Sequence, residues 1–80
     1  MTYFVDSNIF LRVLIKDNKK QYQESFTFLE AVKQNKLIAI TNTPVLAEIV
    51  WTLLSFYKFP KEKVISGVKS IVQLNGLKII

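Results

Sequence analysis

Hydrophobic and polar positions along this chain follow two periods, and the switches between them mark the elements. Thr2 to Val5 is a short run of β-forming residues and predicts a strand. Ser7 or Asn8 then offers a side-chain oxygen to the unpaired N–H groups of a first helical turn, and Ile9 to Ile15 reads as a short helix broken by Asp17-Asn18. From Lys19 to Lys33 the apolar positions Tyr22, Phe26, Leu29 and Val32 recur at three and four, which predicts an amphipathic helix. Leu37 to Ile40 is a continuous apolar run, as expected of a parallel strand covered on both faces. Thr43 as N-cap and Pro44 at the first helical position open a helix from Pro44 to about Tyr57. After Phe59-Pro60, a further helix is expected from Lys61 to Leu74, with Val64, Val68, Ile71 and Val72 on one side. Asn75-Gly76 is a helix-ending signal, and Leu77 to Ile80 reads as a third strand.

The predicted order is β-α-α-β-α-α-β. Strands joined by helical crossovers imply a parallel sheet, and the expectation is an α/β fold of three layers, α/β/α. No repeat, low-complexity tract or linker divides the chain, so residues 1–80 are expected to form one domain. A final apolar strand leaves an edge open to pairing, so self-association into a homo-oligomer is expected.

Composition narrows the chemistry. The sequence contains no cysteine and no histidine, which removes thiolate zinc sites, Ser-His-Asp triads and imidazole bases. The lack of cysteine agrees with a reducing cytoplasm, the expected location. No basic leader precedes an apolar run at the N-terminus, and no apolar stretch is long enough to span a bilayer, so no membrane role is expected. The net charge of +5 favours an anionic partner such as RNA, although the ten lysines are scattered and also suit ordinary solvated faces.

Two carboxylates are out of keeping with their surroundings. Asp6 is the only charge before Arg12 and lies between Phe4-Val5 and Ile9-Phe10-Leu11. Glu48 is the only charge between Lys36 and Lys58, on a helix apolar nearly all round and so expected to be central. In a parallel sheet, the C-terminal ends of strands and the N-termini of the following helices share one edge, where ligands bind. Asp6 and Glu48 both belong to that edge. Two converging carboxylates repel unless a cation joins them, and Mg²⁺ or Mn²⁺ needs only one or two of them plus water and substrate phosphate. The alternatives are structural: Asp6 as a helix cap, and Glu48 paired with Arg12 or a lysine. A phosphotransfer site with Asp6 as nucleophile would want a second aspartate where Asn8 stands.

The segments Y-F-V-D-S-N-I-F-L-R, T-N-T-P-V-L-A-E-I-V-W-T-L and N-G-L resemble the N-terminal part of PIN domains, above all the VapC-like toxin ribonucleases of bacterial toxin–antitoxin pairs. The resemblance implies that Asp6 and Glu48 are metal-binding and catalytic, holding Mg²⁺ or Mn²⁺ for endoribonuclease cleavage. Ser7, Asn8 and Thr43 would support them, and Arg12 and Lys16 would contact phosphate. RNA and a cognate antitoxin protein are the implied partners. The family's domain continues to further aspartates, whereas no carboxylate side chain follows Glu62 here. The resemblance therefore implies a truncated PIN-like domain, weakly active or inactive alone. The rival expectation is a non-enzymatic interaction module that binds an antitoxin or itself.

Overall fold

The computed structural model describes residues 2–80. Strand β1 (Thr2–Phe4) leads into helices α1 (Ser7–Ile15) and α2 (Lys19–Lys33), then β2 (Ile38–Thr41). Helix α3 (Thr43–Trp51) runs directly into a π-helical turn, Thr52–Phe56; α4 (Lys61–Val72) and β3 (Leu77–Ile79) complete the order. The three strands form one parallel sheet in the order β1-β2-β3, with Phe4 opposite Ile40 and Ile40 opposite Lys78. The mixed α/β class and the element order thus agree with the sequence pattern. No helix among the described residues is long and apolar enough to cross a membrane.

The layering differs from expectation. Tyr3, Ala39 and Leu77 share one side of the sheet, together with Val5 and Thr41, by register and by the alternation of side chains along a strand. That side holds the core: Val5, Ala39 and Thr41 are buried with Phe10, Val32, Ile49 and Leu53. On the other side Phe4 is 53% exposed and Ile38 57% exposed. The reason is topological. Right-handed crossovers that advance the same way across a sheet lay their helices on the same face. The arrangement is therefore two layers, helices on one face and a bare apolar face opposite, rather than α/β/α. The run Leu37 to Ile40 is not covered on both sides.

Local signals moved by a residue or two. The N-cap of α1 is Asp6, not Ser7 or Asn8, and the N-cap of α3 is Asn42, not Thr43; Pro44 falls in the first turn. Asn18 caps α2, its side chain accepting from the N–H of Gln21 at 2.9 Å. Along α2, Ser25 is buried and Phe26 exposed, the reverse of the periodic reading, while Phe28 packs edge-on against Tyr3. Helix α3 is not central. It buries Val45 and Ile49, a stripe that Leu53 continues in the π-helical turn, and exposes Ala47, Glu48 and Trp51.

Gly76 does not serve as a left-handed helix cap; the left-handed positions are Lys16, Asn35 and Lys58, at φ 62°, 61° and 57°. Its need for glycine is close approach. A Cβ there would sit 2.7 Å from the carbonyl oxygen of Leu37 and closer still to that of Val32. The Gly76 N–H donates to the Val32 carbonyl, and its own carbonyl accepts from the N–H of Ala39, which locks β3 onto β2.

Candidate functional site

Two strand-to-helix junctions lie side by side at the C-terminal edge of the sheet. In the first, Val5 continues the β1 ladder by donating its N–H to the Ile40 carbonyl at 2.8 Å, and its buried side chain anchors the turn. Asp6 then takes an extended conformation (φ −81°, ψ 165°) and caps α1, its Oδ1 accepting from the N–H of Ser7 at 2.7 Å. In the second, Asn42 (φ −142°, ψ 170°) caps α3, its Oδ1 accepting from the N–H of Val45 at 3.0 Å. The buried hydroxyl of Thr41 joins the two by donating to the Val5 carbonyl at 3.0 Å. A buried donor satisfied in this way fixes the junctions relative to each other, because freeing it would leave a polar group unpaired.

Ser7 opens α1, and Glu48 lies in the second turn of α3, so this junction pair brings their side chains together. The Ser7 hydroxyl donates to Glu48 Oε2 at 2.5 Å and lies 3.5 Å from Asp6 Oδ1. It has a single proton to give, so Glu48 is the carboxylate it serves well. Asp6 and Glu48 are therefore on the same side of the sheet, no further apart than these two short links laid end to end. Asp6 Oδ2 and Glu48 Oε1 accept no hydrogen bond within the described residues, and both residues are exposed.

Neither carboxylate is buried. The desolvation that an isolated anion in a core would suffer does not arise here, and water alone makes both charges tolerable. The structural alternatives divide. Asp6 does cap α1. Glu48 pairs with neither Arg12 nor a lysine: the one ion pair among the described residues is Lys33 with Glu30, on α2.

An open groove of about 480 Å³ is lined by Ser7, Asn8, Arg12, Asp17, Glu48 and Thr52, and by Phe56 and Tyr57; Asp6 does not line it and meets it only through Ser7. Arg12 thus stands in the groove without an anionic partner among the described residues. Lys16 does not line it; its ammonium lies 5.5 Å from the Tyr22 ring centre. Thr43 is exposed in the first turn of α3 and does not line the groove.

The donor set suits a hard divalent ion. Two carboxylates and a hydroxyl are all oxygen, and Mg²⁺ or Mn²⁺ retains several waters when held by so few groups. No cluster of three or more acidic or other metal-ligating side chains occurs among the described residues, so such an ion would be held by Asp6 and Glu48, with water and substrate oxygens completing its shell.

The sequence pattern pointed to Asp6, Ser7, Asn8, Arg12 and Glu48 but missed Asp17, which it read only as a helix breaker, and Thr41, Asn42, Thr52, Phe56 and Tyr57. Thr52 was within reach, being four residues beyond Glu48 and so on the same helical face. Nothing in the residue pattern announces the π-helical turn that sets the last two. Among known family models, curated proteins and solved structures, none matches this chain.

Proposed function

We propose that the edge groove is a divalent-metal-dependent site for cleaving RNA phosphodiesters, as in the VapC-like PIN ribonucleases that the sequence resembles, and that the chain acts as the toxin of a toxin–antitoxin pair. The observation that carries this reading is the convergence of Asp6 and Glu48 through the Ser7 hydroxyl, beside Arg12, at the sheet edge where α/β folds bind ligands.

A bound Mg²⁺ or Mn²⁺ would supply a water of lowered pKa and neutralise charge gathering on the scissile phosphate. The chain's own residues have separate tasks. Asp6 and Glu48 hold oxygens towards the ion. Ser7 fixes the Glu48 carboxylate by its hydrogen bond, and Arg12 offers a guanidinium to a neighbouring phosphate. Two exposed carboxylates position an ion loosely, so turnover by these 80 residues alone is expected to be slow.

Incubation with single-stranded RNA and Mn²⁺ tests the proposal. Weak endonucleolytic cleavage is expected, reduced at least about tenfold by Asp6→Asn and by Glu48→Gln, the lower end of what losing a metal-site group costs. Cleavage that both variants retain would sink it.

A second reading, a non-enzymatic interaction module that binds a second copy of itself, is supported by the bare apolar sheet face of Phe4 and Ile38. Light scattering at high concentration decides it: a clean monomer with nuclease activity removes this reading, and a dimer with no cleavage replaces the first.

A further inference from the structure

Phe56 is 71% exposed, more than any other large hydrophobic residue among those described. Its ring contributes little to the core, yet it is held in place. It packs edge-on against Tyr57, with ring centres 5.0 Å apart and planes at 64°. Tyr57 in turn meets Phe59 at 6.3 Å and 66°, and the Lys63 ammonium lies 4.9 Å from the Phe59 ring centre. Phe59 is half-buried and packs on the hydrophobic core, so the aromatic row runs from the core outward to the groove.

The backbone explains why the row ends there. The Tyr57 N–H donates to the Thr52 carbonyl, five residues back, and the Phe59 N–H donates to the Leu53 carbonyl. In a regular α-helix of 3.6 residues per turn, Tyr57 would lie about 140° around the axis from Thr52 and leave the groove. The wider π-helical turn brings residue 57 back beneath residue 52. Glu48, Thr52 and Tyr57 therefore follow one line along the helix, with Phe56 beside it, and all four line the groove.

We propose that Phe56 and Tyr57 form a nucleobase-stacking subsite, which takes an unpaired base while the attached backbone passes Arg12 towards Ser7 and Glu48. The inference rests on the reading of the groove as an RNA site and adds what that site grips. The exposed rings share the groove lining with the Arg12 guanidinium as well as with the Asp17 and Glu48 carboxylates; rings stack on base faces and the cation takes phosphate, the two contacts of single-strand recognition. A base within a duplex has both faces covered by its neighbours, so the subsite selects unpaired segments.

The test needs neither metal nor turnover. Fluorescence anisotropy in EDTA compares a labelled single-stranded oligoribonucleotide with an abasic strand of equal length and charge. The wild-type chain should bind the base-bearing strand at least about fivefold more tightly, the low end for loss of base stacking. Phe56→Ala should abolish that preference, and Phe56→Trp should restore it, with folding checked by circular dichroism. Equal affinity for the two strands in the wild-type chain overturns the proposal. So does binding of neither strand, or a preference that survives Phe56→Ala combined with Tyr57→Ala. Base preference without Mn²⁺-dependent cleavage would leave the subsite standing and remove the nuclease reading. Cleavage without base preference would do the reverse.

Discussion

Helix α3 and the π-helical turn that continues it present two sides that obey different physics at neighbouring positions. On one, Val45, Ile49 and Leu53 recur every four residues and are buried in the core, with Ile49 fully enclosed. On the other, Glu48 and Thr52 recur at the same interval and line the groove. The two stripes are offset by a single residue. The core side depends on apolar area removed from water and on close packing, whereas the groove side keeps its charge hydrated and open. Changes on the first stripe should therefore act on folding, and changes on the second on chemistry.

The sharpest way to test that division is Ile49→Ala. The cavity it leaves should cost about 2–5 kcal/mol, a large share of the stability of a domain this small. Urea denaturation followed by circular dichroism reads the loss, and a change well under 1 kcal/mol would mean that this stripe is not the core. Next is Gly76→Ala, which forces a Cβ against two carbonyls and should cost about 1–3 kcal/mol by the same measurement. Asn42→Ala removes the α3 cap and should cost about 1 kcal/mol. Glu48→Gln should shift stability by only about 0.5 kcal/mol while cleavage falls, since the side chain is exposed and the glutamine amide oxygen can still accept from the buried Ser7 hydroxyl. A large destabilisation by Glu48→Gln would break the comparison and make the Ser7–Glu48 bond structural.

The same contrast explains what could be read from the residues alone. Element order, parallel pairing and the meeting of Asp6 with the α3 carboxylate follow from local pattern and from the rule that strand ends and helix starts share an edge. The number of layers does not, because it depends on the direction in which successive crossovers advance. An apolar run such as Leu37 to Ile40 looks the same whether one face is covered or two. The central position expected of the Glu48 helix fails for the same reason. Trp51 and Phe56 are hydrophobic by type, and only the three-dimensional arrangement shows them outside the core. Helix caps were displaced by one residue because Thr43, Asn42 and Ser7, Asp6 are adjacent polar residues of similar capping ability. The π-helical turn arises from hydrogen bonds that skip a residue, and side-chain periodicity carries no trace of it.

Thr41 never reaches the groove, yet its hydroxyl is the rivet between two stretches of chain 36 residues apart in the sequence. Exchange it for valine, nearly the same shape without the oxygen, and the seam between those stretches can slide while every groove residue remains in place. Tolerance to substitution should thus be lower at this hidden position than at several that would touch a ligand.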